Sequence, residues 1–571
     1  MITARSSSVF ALFLSALTAQ QAPQPLGDEV AEQIAKEGIE NSGVHAILRE
    51  MTGDIGHRLT GSENFTKACA WAKGHFEKMG LDVELEPWDE WTTIWSRGEW
   101  VGRIVEPVEF DIYVATEAWT AGTDGLQTAG FVEAPRSSTD EAVEDTKGMW
   151  VISRRKPTSR VRKAVEAAGA LGVVYRAGDP NQKYPTRVRV FGDSRVAKMP
   201  ADQAPKLPEI AVRADDFDRL FELFEEGKQP VAQFDIQNEF KAGPIELNNV
   251  IATLRGTEKP DEWVVVSSHL DSWHQAQGCT DNGTGSATTM EAARILTSIG
   301  AKPKRSIKFC LWGGEEQGLL GSRGFVQRHR AHMKQVSVCF NHDTGTNWAQ
   351  SLTVTEKMKA QLAPVFDQVN RLLAAPDEDW DGAVFGLRTA SSIGGGGGSD
   401  HASFLAAQVP GLGWNLKGRS DYFQHTWHTQ WDTFDVAIEE YQRHTATVIA
   451  MAALGAANLE ELLDREGIRT RRRGRGQSSA FASAWFEGEM EEFTFKSVKK
   501  DGRAARMGVK AGDKLVKVGG KKITSMRQIF QFAREVEGDT VEFGFQRGDK
   551  EFTAKMKKNE VSSGGRRRRG R

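Results

Sequence analysis

Between Val264 and Glu316 two apolar runs alternate with loops rich in acids and histidine. VVVSSHLDSW closes on His269 and Asp271. GCTDNGTGSATTMEAARIL takes Asp281 through a glycine turn into a helix, and KFCLWGGEEQGLLGS ends its apolar part at Glu315–Glu316. A nearly continuous apolar run reads as a strand buried on both faces. Strands separated by helices predict a parallel or mixed sheet with helices on both sides, and so an α/β fold. Ligand-type side chains at the ends of such strands lie where an open α/β sheet carries its site.

The residue types point to metal chemistry. Catalytic zinc takes His, Asp and Glu ligands and keeps a position open. Two zincs need about five or six such side chains, one of them bridging. In chain order the candidates are His269, Asp281, Glu316, Asp343 and His428. Asp271, two residues beyond His269, could hold the other nitrogen of that imidazole; a surface His–Asp pair is the alternative. Asp281 could equally cap the helix that follows it. Adjacent carboxylates at the end of a buried strand are costly unless something positive lies beside them. One of the Glu315–Glu316 pair would bind metal and the other would take a proton from water; a solvated acidic loop is the plainer reading. His342, beside Asp343, reads as structural and His274 as a loop residue. His425 and His428 compete for one role, and His428 is preferred because Asp432 is placed to partner its ring.

The rest of the chain divides around this stretch. At 571 residues it is too long for one core. A basic start, an apolar run from Val9 to Ala19 and a Gln/Pro-rich stretch read as a signal peptide over residues 1–22. The protein is therefore expected to be exported, periplasmic or extracellular, with no transmembrane anchor in the mature chain. Residues 122–244 suggest a small α/β insertion separate from the main sheet. It splits a catalytic domain into 23–121 and 245–463. Asn248–Thr257 and the run after it read as a hairpin turning at Lys259–Pro260–Asp261. A helix from about 437 to 463 closes the domain. An Arg/Gly linker (464–479), a small β-rich domain (480–558) and a basic tail (559–571) follow. A net charge of −3 gives no reason to expect specific nucleic acid. Among the four cysteines, Cys310 and Cys339 sit in apolar runs and read as buried free thiols.

The ordered set HLD, DNGTG, GGEEQGLLGS, HDTG, SDHASF and HTQWDT, with GHRLTGS upstream, resembles the M28 family of co-catalytic zinc peptidases. That resemblance implies a zinc-exopeptidase fold and two zincs bridged by Asp281, one also held by His269 and Asp343, the other by Glu316 and His428. It makes Glu315 the general base and Asp271 the carboxylate behind His269. HLDSWHQAQG points to a branch whose members act as dipeptidases or aminopeptidases, so removal of N-terminal residues is expected, with carboxypeptidase action as the alternative. The insertion resembles a protease-associated domain. GRAARMGVKAGDKLVKVGGKKI resembles a PDZ domain, which could take a peptide ligand, although SSAFASAWF lacks its usual carboxylate-binding glycines. Trp427 stands where many relatives have Tyr or His, leaving Tyr422 as the substitute for a group touching the reacting oxygen. The glycine run Gly394–Gly398, with Asp400 and His401 beside it, reads as a mobile rim over the substrate or as a plain flexible loop. A single-zinc glutaminyl-cyclase-like enzyme does not need both His269 and Asp343. A non-catalytic binding protein does not need the full ligand set.

Overall fold

The two apolar runs form the middle of a 14-stranded sheet in a computed structural model of the chain. The structure describes residues 24–179, 181–394, 398–469, 486–491, 493–523 and 526–557. The signal-peptide stretch, most of the Arg/Gly linker, nearly all of SSAFASAWF and the basic tail lie outside the described residues.

Four central strands run parallel, in the spatial order Arg305–Trp312, Lys259–His269, Val336–Asn341 and Gly411–Lys417. Lys259–His269 is first of these in the chain and has later strands on both sides. The strand order therefore reverses there, and a crevice opens beyond the carboxyl ends. Val264 and Val266 face one buried cluster and Val265 faces another. The strand is thus covered on both faces, as its unbroken apolar run requires; each such side chain contributes ~1.5–3 kcal/mol by leaving water. Helices Thr284–Ser298 and Glu439–Ala457 pack on each other and on this strand. Both are rich in Ala, Ser, Thr and Gly and buried along most of their length, which lets backbones approach closely. The closing helix ends at Ala457, short of the expected 463.

Two expectations are corrected. Val231–Leu254 and Lys259–His269 do not form a hairpin, because Arg305–Trp312 lies between them, antiparallel to the first and parallel to the second. The linking segment runs alongside the start of the intruding strand, with the Thr257 amide donating to the Pro303 carbonyl at 2.9 Å. Nor is the inserted segment separate from the main sheet. Its parallel strands Gln127–Glu133, Trp150–Ser153, Gly172–Ala177 and Glu209–Arg213 join the same sheet through the far end of Val231–Leu254. That long strand pairs with Asp82–Glu106 from Asp82↔Thr253 to Glu106↔Val231, so the boundary expected at 244/245 falls within one continuous element. All four cysteines are free and buried.

Residues 470–571 form a second compact unit. Its described part is an antiparallel sheet containing Thr494–Val498, Lys514–Val518, Thr540–Arg547 and Lys550–Lys557, with helix Met526–Glu535. Phe486, Phe495, Leu515, Ile529, Phe543 and Phe545 build a core of its own.

Candidate active site

The parallel strands bring the ligand-type residues together because their carboxyl ends share one edge of the sheet. His269 ends its strand; Glu315 and Glu316 follow Trp312, and Asp343 follows Asn341. His269 Nε2 lies 3.3 Å from Asp281 Oδ1 and 3.2 Å from Asp343 Oδ1. His428 Nε2 lies 2.9 Å from Asp281 Oδ2 and 3.1 Å from Glu316 Oε2. Two triads result, His269–Asp281–Asp343 and Asp281–Glu316–His428, each compact enough to hold a metal ion and sharing Asp281 through its two oxygens. All five expected ligands are in these triads. His425 is not: it stacks on Trp431.

Hydrogen bonding decides what the cage suits. His269 Nδ1 is 2.9 Å from the Asp271 carbonyl, which can only accept. With a proton on that bond, Nε2 is the nitrogen turned toward the carboxylates. Lone pairs from every side of a buried space fit a cation. Glu316 Oε1 is buried without a hydrogen-bond partner among the described residues. The acid–base balance agrees. Burial, reinforced by Asp281, pushes Glu316 up to about 7. Burial also raises Glu315 well above the carboxylate range, with Asp343, Asp400 and Glu316 adding to it and His269 opposing. So many carboxyl groups of raised pKa mark a site built around positive charge.

The loops are fixed by backbone bonds. The expected Asp271 carboxylate stands behind His269, its Oδ1 3.6 Å from Nδ1, with the Asp271 carbonyl closer at 2.9 Å. The carboxylate accepts from Thr60 Oγ1 at 2.9 Å and from the Glu315 and Glu316 amides at 3.2 and 3.3 Å. It therefore sets the turn that carries both glutamates. Asp432 does not meet His428. It accepts from the Thr280 amide at 2.5 Å, from Thr280 Oγ1 at 2.7 Å and from the Asp281 amide at 3.2 Å, fixing the backbone that presents Asp281. In DNGTG, Gly285 is required by packing, since a Cβ there would lie 2.2 Å from Asn282 Oδ1. In GLLGS, a Cβ on Gly321 would lie 2.2 Å from Asn249 Oδ1 and 2.4 Å from the Gly313 carbonyl.

A cavity of about 900 Å³ opens over the cage. Glu315, His401, Tyr422 and Trp427 line it. Asp400 does not: it is fully buried, and burial pushes its carboxyl up to about 7. His274, expected in a loop, is fully buried, its Nε2 2.9 Å from the Thr116 carbonyl. It forms part of an aromatic cluster with Trp95, Trp100 and Trp273.

Sequence reading missed two supports. Arg58, in GHRLTGS, is completely buried, and its guanidinium donates to the carbonyls of Gly56, Leu270, Gln277 and Gly278. The second is a strap from the insertion. Arg187 donates to the Gln424 carbonyl, Arg189 to those of Phe423 and Trp427, and the Val188 amide to Gln430. The Arg189 guanidinium also lies 4.3 Å over the Trp427 ring, and Phe191 meets the His428 ring edge-on at 5.2 Å. His428 itself has a left-handed backbone, φ +59°, a conformation that costs about 1–3 kcal/mol and persists where packing imposes it.

The fold and cage define an α/β enzyme with two paired triads able to hold metal at the switch point of its sheet. Residues 249–452 are a peptidase family M28 domain, and residues 494–547 are a PDZ domain. The chain is similar to carboxypeptidase Q of Homo sapiens, 27% identical over 431 residues, 73% of this chain and 86% of the relative. Carboxypeptidase Q of Xenopus laevis is 26% identical over 423 residues, covering 72% and 85%. Among solved structures, the peptidase M28 precursor from Shewanella amazonensis shares the fold with a TM-score of 0.53, at 24% identity over 76% of this chain and 98% of that one.

Proposed function

We propose that this protein is an exported dizinc exopeptidase that removes N-terminal residues from peptides or dipeptides. The metallo-exopeptidase class follows from the M28 domain and from relatives named carboxypeptidase. The observation that carries the metal reading is the pair of triads that share Asp281. With Nδ1 engaged by the Asp271 carbonyl, Nε2 is turned toward a space already bounded by Asp281 and Asp343.

His269, Asp281 and Asp343 would hold one zinc; Asp281, Glu316 and His428 would hold the other. Zinc so held supplies Lewis-acid polarisation of the scissile carbonyl and a lowered pKa for water. Glu315 belongs to neither triad and lines the cavity. Its carboxylate takes a proton from the attacking water and returns it to the leaving amine. Trp427 and Tyr422 wall the substrate space. The PDZ domain takes a peptide ligand by strand addition. The relatives' name favours a second reading, release of C-terminal residues.

The test is zinc content per chain, measured together with hydrolysis of aminoacyl-nitroanilides, free dipeptides and an N-blocked peptide. Two zincs with cleavage of free-amine substrates alone is the expected result. Cleavage of the blocked peptide from its C-terminal end would overturn the N-terminal specificity. Full turnover after exhaustive chelation would overturn the metal role.

A further inference from the structure

Among the described residues that line the cavity, Arg323 is the one Lys or Arg side chain. It is exposed, and its guanidinium has no hydrogen-bond or carboxylate partner among the described residues. Arg328, on the same helix, is engaged by the Pro87 carbonyl and by Glu86. Arg323 lies in the first turn of helix Leu320–Arg328, where the helix dipole disfavours a cation. Neither helix stability nor an internal ion pair therefore accounts for an arginine there. Asp281, Glu315, Glu316 and Asp343 line the same cavity, which is thus acidic around the metal cage and cationic at Arg323.

The backbone between these poles is fixed. Glu315 and Arg323 belong to one turn, in which the Gly318 and Leu319 amides donate to the Glu315 carbonyl at 2.7 and 2.9 Å. The Gly321 amide donates to the Gly313 carbonyl at 2.8 Å, and the Arg323 amide to the Leu319 carbonyl at 3.1 Å. The helix is tied to the one carrying His401 by Ser322 Oγ and Ser403 Oγ, 2.8 Å apart. The backbone that carries Arg323 is thus tied to the one that carries Glu315, and a planar guanidinium pairs directionally with a carboxylate.

Resting on the peptidase reading above, we infer that Arg323 is a specificity-determining residue that anchors a carboxylate of the substrate. Two sources offer that group, the C-terminal α-carboxylate and an acidic side chain; the test separates them. The zinc-loaded full chain is assayed on a free-acid dipeptide, its C-terminal amide, and a dipeptide amide with glutamate second. The wild type is expected to prefer one carboxylate-bearing substrate over the plain amide by ~10- to 100-fold in kcat/KM, the range for a charge-assisted pair. Arg323→Gln is expected to bring that ratio close to one, chiefly through KM, and Arg323→Lys to restore part of it. Dependence of the free-acid preference on Arg323 assigns the α-carboxylate; dependence of the glutamate-amide preference assigns the side chain. Ratios that Arg323→Gln leaves unaltered, or a wild type that cleaves all three alike, overturn the anchor while the peptidase reading stands. A wild type that cleaves none of the three overturns both.

Discussion

Arg58 shows how much of this site is built from backbone. Its charge is fully buried, and burial pulls its pKa down to about 10 while Asp432, Asp271 and Asp281 hold it up. Replacing it with Ala strips donors from four carbonyls at once, two of them in buried bonds. The expected cost is about 3–5 kcal/mol, measured by denaturant unfolding of the metal-loaded protein, with weaker metal binding alongside. Glu315→Gln, by contrast, removes a proton acceptor without touching either triad. It is expected to keep the full metal content and to lower kcat by ~10²–10⁴-fold, checked by metal analysis beside steady-state kinetics. Asp432→Ala frees the amide that presents Asp281 and is expected to weaken metal affinity ~10- to 100-fold, read by competition with a chelating dye. His269, Glu316 and Asp343 were legible in the chain because each follows an apolar run, and Asp281 and His428 because they lie in the motifs DNGTG and HTQWDT. The backbone amides that Asp271 and Asp432 accept from were not, because sequence spacing does not reveal which amide a carboxylate reaches. Arg58 gave no sequence signal beyond its place in GHRLTGS.

At the level of elements, the turn from Trp312 to Leu320 and the strap from Lys183 to Phe191 hold the two sides of the site. Gly321→Ala would drive a methyl group into Asn249 and the Gly313 carbonyl. The turn carrying both glutamates must then shift, and a loss of more than ~10-fold in kcat/KM is expected from the misplaced Glu315. The strap holds the loop of His428 through Arg187, Val188 and Arg189, with Lys183 paired to Asp421 at its near end. Arg187→Ala is expected to raise hydrogen exchange across residues 421–431 while leaving Lys259–His269 protected. Periodicity identified the strands that end at His269 and Trp312 and the helix Thr284–Ser298 closely. It failed for the hairpin, because adjacency in sequence says nothing about a third strand arriving later to separate two neighbours. The strap was invisible because its contacts join residues more than two hundred positions apart.

For the molecule as a whole, two units with separate cores predict separate unfolding transitions in calorimetry. Metal binds the folded cage and not the unfolded chain, so chelation is expected to lower the transition of the peptidase unit by several degrees and leave that of the PDZ unit in place. No helix among the described residues is long and apolar enough to cross a membrane.

The long pair Asp82–Glu106 and Val231–Leu254 has a consequence for synthesis. The first strand leaves the ribosome before the whole inserted segment, and its partner follows only afterwards. Through that interval a 25-residue strand has an unpaired row of amides and carbonyls, the kind of edge that recruits other chains. Asp82, Glu84, Glu86, Asp89, Glu90, Glu99 and Glu106 outnumber Arg97 and Arg103 along it, and that net like charge opposes pairing of two waiting copies until the downstream strand closes the sheet.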